Sequence, residues 1–440
     1  MVRPRDDLLA CGVRGLYAES EAVLGRGDVY TVVREGLGKT PAKLATFALL
    51  FDYVLLASIN TLVAARLVLG LVSELGEMIH ATVRINPPVS SALLAAMFCV
   101  YICRAHVVNF DRPAQELARS MPVATAVFFV LMAWVGITAA LKEFSVPPLH
   151  SPNMRLDTEA FGWLTGTFWV QLPVVLIVVG LGHAMIARSG DDSLAEVNRV
   201  IATWKPRRFR GAVFAAVLNS FIFPAFVPFA AILIIPPPLR EEYSRNIVGG
   251  IVHSLAGSQL MKLVTYIVVV FAGVSVLFYA ASRAMAGARL SLEQATADGA
   301  MTDWFRHSHQ RYGTPHRLLH LLLVMQLITL AASRGDVMEL AKAYAFGIGW
   351  GFALKALAVA ALRRRIPEAR AWRIPLNIRI GRHELPLGLG LLAGALLVLA
   401  CVNLLARERA TICGLSFTAL FFVAFQAAGR YSRASRSTWR

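Results

Sequence analysis

The sequence predicts an all-α integral membrane protein with about ten spanning helices. Three observations carry that expectation. Apolar residues make up 57% of the chain and charged residues only 16%, against roughly 45–50% and 25% in an average soluble domain. Apolar runs of about 20 residues recur along the chain, a length that crosses a hydrocarbon core of roughly 30 Å. No polar linker of the kind that separates soluble domains interrupts the 440 residues.

In chain order the runs are Ala42–Leu71, Val89–Cys103, Met121–Leu141, Phe161–Ala187, Ala212–Ile235, Leu260–Ala281, Leu318–Ala332, Val337–Leu362, Leu385–Leu405 and Thr411–Ala427. They form a single transmembrane domain over residues 42–429. An N-terminal segment, residues 1–41, precedes it, and a basic tail, residues 430–440, follows. Arg3 and Arg5 open the chain, but the stretch after them is polar and has no apolar core, so no signal peptide is read.

The net charge of +17, from 44 Lys and Arg against 27 Asp and Glu, would suggest nucleic acid in a soluble protein. In a membrane protein the placement of the charges decides. With the N-terminus inside, 32 of the 44 basic residues fall in the inner segments and nine in the outer loops. That bias predicts both termini on the cytoplasmic side. It accounts for the charge without a nucleic-acid partner, and an even number of spans agrees with it. Four of the five cysteines (Cys99, Cys103, Cys401 and Cys413) lie in or beside apolar runs and read as buried free thiols.

Irregular backbone is tolerated in lipid only where protein or a cavity covers it, and midplane sites are built from such breaks. Gly180-Leu181-Gly182-His183, after the apolar run Val170–Val179, is the first candidate. Its alternative is close helix packing through small residues. The second candidate is Ala343-Tyr344-Ala345-Phe346-Gly347-Ile348-Gly349-Trp350-Gly351, where small and aromatic residues alternate and suit either a pore lining or a packing face. Intramembrane ionisable groups are functional candidates by default. Here they are Asp52, Arg66, His183 and Lys355. Lys355 has the alternative of snorkelling towards Arg363–Arg365, and His183 that of a satisfied interhelical hydrogen bond.

Several motifs are excluded. Gly38-Lys39-Thr40 lacks the glycine that a P-loop needs at position 33, which is Val33. His307, His309, His316 and His320 cluster in one loop, but the other histidines are scattered singly, so neither metal nor other cofactor is expected. Ser193 and Glu196 fit a capping box that opens a short amphipathic helix ending near Lys205.

Several segments together resemble the amino acid–polyamine–organocation permeases, in particular a bacterial branch of amino acid permeases. The resemblance runs from about Gly15 to Arg430. Gly25-Arg26-Gly27-Asp28-Val29-Tyr30 is similar to the family's glycine-rich turn after its second helix, and Phe51-Asp52-Tyr53-Val54-Leu55 to the opening of its third. Gly182–Met185 and Ser189–Arg199 resemble the sixth helix and the loop after it. Asp298–Phe305 resembles the loop after the eighth helix, with Thr302 in place of a proline. Ser333–Val337 and Ala343–Gly347 resemble the start of the tenth.

The resemblance implies a leucine-transporter-like fold of two inverted five-helix repeats plus two further helices, with the first and sixth helices broken at the midplane around the substrate. Residues 1–40 hold no run long enough for the first two helices, so this chain is expected to lack them. Leu9–Ala18 reads as an amphipathic remnant, and the acidic residue often found after the sixth-helix break is not at Ala184 or Met185.

The implied activity is secondary active, proton-coupled transport of amino acids or related amines across the bacterial inner membrane, with the lipid bilayer as the other partner. The alternative is a non-transporting relative acting as a membrane partner or sensor. The expected substrate cavity is bounded by Gly180, Leu181, Gly182, His183, Ser58, Asn60, Thr61, Tyr266, Tyr344, Phe346 and Gly347. Asp52, His183, Asp191 and Lys355 are the coupling or gating candidates.

Overall fold

The computed structural model describes residues 28–78, 87–109, 112–141, 158–171, 226–241, 246–297, 310–344, 346–365, 377–380 and 383–437, with a few short pieces and single positions before and between them, Glu19 and Ile374 included. The predicted break at Gly180, Leu181, Gly182 and His183 lies outside the described residues, as do Asp191 and the amphipathic helix predicted after it.

The fold is α-helical. Asp28 caps α1 (Val29–Leu37) by accepting from the Thr31 N–H at 2.9 Å. There follow α2 (Lys39–Met78), α3 (Pro87–Val108) and α4 (Arg112–Leu141). Residues 226–234 are helical. Then come α5 (Ile247–Ser254), α6 (Gln259–Ala297), α7 (His316–Ala332), α8 (Val337–Ala343) and α9 (Phe346–Arg365). The antiparallel hairpin of β1 (Asn377–Ile380) and β2 (His383–Pro386) pairs Ile378 with Leu385 and Arg379 with Glu384. It leads directly into α10 (Leu387–Ala406) and α11 (Glu408–Ser437). Among the described residues seven helices are long and apolar enough to cross a membrane, and α7 is a shorter apolar one.

Helix lengths depart from the apolar runs where polar residues still favour helix. α2 has 40 residues and α6 has 39, close to 60 Å each at 1.5 Å per residue. That is about twice the hydrocarbon thickness, so each must tilt or project beyond it. The extension of α6 runs through Arg283 and Arg289, read from sequence as a loop. It is rich in Ala, Leu, Arg and Met, holds no proline, and carries an Arg289–Glu293 pair at 3.0 Å one turn apart. Two other expectations are corrected. Residues 158–171, where the fourth run begins, form 3₁₀ turns rather than α-helix, with Gly162 at a positive φ of 49° against the Ala406 carbonyl. The eighth run is two helices, α8 and α9, separated at Tyr344.

α2 is the central element. It packs on α1, α3, α6, α7, α8, α9 and α11. One apolar cluster joins α1, α2, α9 and α10, with Leu55, Phe352, Ala356 and Leu396 at its centre. A second joins α2, α3, α6 and α7 through Phe47, Leu50, Met285 and Leu322. A third lies farther along α2, where Leu67 and Leu71 meet Ile234, Ile251 and Tyr266. Large apolar side chains stay exposed at helical spacing: Leu93, Met97 and Tyr101 on α3, and Val123, Val130 and Ile137 on α4. Stripes of this extent suit lipid tails and would be a liability in water.

Candidate functional site

The site is built around the interruption between α8 and α9. No proline causes it. Tyr344 turns extended (φ −79°, ψ 159°) at the end of α8, and α9 restarts in the glycine-rich stretch at Phe346. A break of this kind leaves carbonyls unpaired on one side and N–H groups on the other. In this chain buried charges supply partners for both. The Arg407 guanidinium, at the junction of α10 and α11, donates to the Tyr344 carbonyl at 2.8 Å and to the Ala341 carbonyl at 3.0 Å. The Asp52 carboxylate of α2 accepts from the Ile348 N–H at 2.8 Å. A cation thus sits at the negative end of α8 and an anion at the positive end of α9, the arrangement that the two helix dipoles favour. Asp52 is also the carboxylate whose charge acts on Arg407, across the break at Tyr344. All three are buried.

The glycines explain how a carboxylate from α2 reaches the backbone of α9. Gly347 lies on the Ala48 carbonyl, and a Cβ there would overlap it. Farther along, Gly36 of α1 faces Ala358, whose backbone would lie 2.6 Å from an added Cβ. α9 therefore lies against α1 and α2 with almost no side chain between. At the other side of the break, Arg66 donates to the Gly335 carbonyl at 2.7 Å and stands 4.0 Å from Asp336, the residue that caps α8. α2 thus grips both halves of the broken helix.

The other predicted residues are dispersed around this centre. Ser58, Asn60 and Thr61 lie on α2 beyond Asp52, and each donates to its own helix: to Val54 at 2.9 Å, Leu56 at 2.7 Å and Ala57 at 3.0 Å. Thr61 also contacts the Cys99 sulfur at 3.3 Å. Tyr344, Phe346 and Gly347 stand at the break itself, with the Phe346 ring closely packed on Gly414 of α11. Tyr266 is elsewhere. Its hydroxyl accepts from Asn246 at 2.8 Å, next to Gly70. Gly70 is 18 residues from Asp52 on α2, about 27 Å along the helix. Lys355 is fully buried on α9, two turns past Ile348, so its ammonium does not reach the surface at Arg363–Arg365.

Sequence reasoning missed Arg407, counted only as an outer-loop charge, and Asn403 one turn before it. The available signal was an Asn within the last turn of an apolar run, followed by an Arg in a connection too short to hold it in water. It also missed Glu19, which is fully buried and pairs with Arg363 at 2.9 Å. Among the described residues no group of three or more His, Cys, Asp or Glu is placed to hold a metal ion.

An intramembrane carboxylate on the end of a broken helix is a functional-site candidate of the kind that midplane binding sites use. The family model described as amino acid permease covers residues 12–425, nearly the whole chain. The chain belongs to that family. A search of curated proteins finds no match. The permease is therefore a multi-pass membrane transporter and not an enzyme, and the lipid bilayer and a small-molecule substrate are its partners.

Proposed function

We propose that this permease is a secondary active transporter of amino acids or related amines, driven by protons across a bacterial inner membrane with both termini cytoplasmic. The distribution of Lys and Arg supports that orientation. Substrate specificity is assigned to the break that the sequence predicts at Gly180–His183, and coupling to Asp52 on α2, with Lys355 on α9 as a second candidate.

The observation that carries the coupling is the hydrogen bond from the Ile348 N–H to Asp52. An ionised carboxylate is attracted to the positive end of α9, and a protonated one is not. A proton on Asp52 therefore loosens α9 from α2 at the point where the helix is already interrupted. Alternating access needs an element with two arrangements whose balance a ligand can shift, and the α8–α9 joint is such an element.

The test is uptake of labelled amino acids into proteoliposomes, with and without an imposed pH gradient. The native permease is expected to accumulate one or more amino acids only when the outside is acidic. Asp52→Asn retains an acceptor for Ile348 but cannot take up a proton. It is expected to keep substrate exchange and lose gradient-driven accumulation. Equal stimulation by the gradient in Asp52→Asn would exclude Asp52 as the coupling group. No accumulation of any amino acid by the native protein would exclude the transport reading.

A further inference from the structure

We propose that the cleft where α9, α10 and α11 meet is a binding site for a small monovalent anion of chloride size, in addition to the substrate and proton assigned above. Its walls include Phe346, Trp350, Asn403, Arg407, Ala410 and Thr411. The cleft is partly open, and its enclosed space is about that of a single water molecule, so it has room for one small ion that keeps part of its water shell outside.

The side chain that demands an occupant is Asn403. It is only 7% exposed, and neither its Oδ1 nor its Nδ2 has a hydrogen-bond partner among the described residues. A buried amide left in that condition is costly, about 1–3 kcal/mol for each unsatisfied group. Such groups are normally met by an ordered ligand or water.

The surrounding chemistry selects the sign. Arg407 has five N–H donors, and its bonds to Tyr344 and Ala341 leave others for the cleft. The first N–H groups of α11 lie outside that helix's own ladder, and Ala410, in its first turn, lines the cleft. The positive end of α11, a guanidinium and two amide N–H groups therefore converge, a combination that favours an anion. The hydroxyl of Thr411 donates to the Leu404 carbonyl at 2.7 Å and is not among these donors. Of the nearby carboxylates, Glu339 is paired with Arg409 and Glu408 points outward. Asp52 acts on Arg407 from the far side of the break. An anion in the cleft would thus share Arg407 with Asp52.

The experiment uses the full-length protein in detergent, melted in sodium chloride, sodium bromide or sodium gluconate at matched ionic strength. A ligand that binds the folded state raises the midpoint in proportion to the logarithm of its concentration. The native permease is expected to show a saturable rise with chloride and bromide and none with gluconate. Asn403→Leu fills the same space without donors and is expected to weaken halide binding about tenfold, by loss of the amide hydrogen bonds. Bromide-soaked crystals should then show an anomalous peak between Asn403 and Arg407 in the native protein and none in Asn403→Leu. Equal midpoints in chloride and gluconate overturn the proposal, and so does a bromide peak only elsewhere. If Asn403→Leu melts equally higher in every salt, the cleft holds water alone, and the proposal fails on that result too.

Discussion

The two ends of α9 are fixed by opposite means. At Phe346–Ile348 the helix begins inside the protein, in backbone contact with α2, and one carboxylate from that neighbour accepts its N–H. At Arg363–Arg365 it ends among polar groups. Arg363 meets the buried Glu19 and donates to Asn377 at 2.8 Å, while Glu19 also accepts from the Ile374 N–H. Arg365 donates to the Glu35 carbonyl. Both ends match the helix dipole, anion at the start and cations at the finish. They differ in what sets the fit. At the first end shape comes first, because no charge could reach Ile348 if α9 stood one side-chain width away. At the second end charge pairs and hydrogen bonds across several segments do the positioning. An end fixed by shape tolerates no added atom. An end fixed by charge tolerates any exchange that removes both partners together.

The largest effect is expected at the first end. Gly347→Val puts three carbons where the Ala48 carbonyl lies, and overpacking of that kind costs typically 1–3 kcal/mol and occasionally more. Separating α9 from α2 also strips Ile348 of Asp52. We expect little folded permease, read as loss of the monodisperse peak on size-exclusion chromatography. Gly390→Ala is the matched control, since an added Cβ there meets nothing. It should be neutral or slightly stabilising, by the higher helix propensity of Ala. Normal behaviour of Gly347→Val would show that the close approach is not what fixes this end.

Next in size is the charge pair at the second end. Glu19→Ala leaves Arg363 buried without its carboxylate, which costs about 3–5 kcal/mol where both groups are desolvated. The side chains here are 0% and 9% exposed. A fall of several degrees in the melting midpoint is expected. The double change Glu19→Met with Arg363→Met should recover most of it, because no buried charge is left unpaired. Recovery would separate this end from the first, where no second substitution can make room for a side chain at Gly347. Failure to recover would mean that Glu19 matters mainly through the Ile374 N–H.

This difference also explains what could be read from the sequence. The membrane class, the order of the helices and the family followed from apolar runs and short motifs, because lipid imposes one simple demand on every segment. The bounds of α3, α7 and α10 lie within five residues of the runs that predicted them. α2 and α6 are longer than predicted, since hydropathy reports contact with lipid and not where a helix stops. Asp52 was visible as a charge in an apolar run. Its partner, Ile348, is 296 residues away, and no local pattern encodes that. Arg407 is hidden for the same reason. In sequence it is one more basic loop residue, and only packing brings it 63 positions back to Tyr344. The hairpin of β1 and β2 lay unread in a basic connection whose charge obscured the alternation of Ile378 and Ile380 with polar neighbours.

The smallest effect tests whether every cation at the second end matters. Arg365 is exposed and donates to the Glu35 carbonyl at 3.3 Å, a long hydrogen bond in contact with solvent. Exposed charge interactions contribute about 0–1 kcal/mol, and a cation near a helix C-terminus about 0.3–1 kcal/mol at low salt. Arg365→Ala should therefore shift the midpoint by a degree or two at most, and the shift should vanish in high salt as the dipole is screened. Glu19→Ala should keep its effect in the same salt, because its partner is buried. A large, salt-resistant loss in Arg365→Ala would mean that the whole basic cluster, rather than the Glu19–Arg363 pair alone, sets the position of this end of α9.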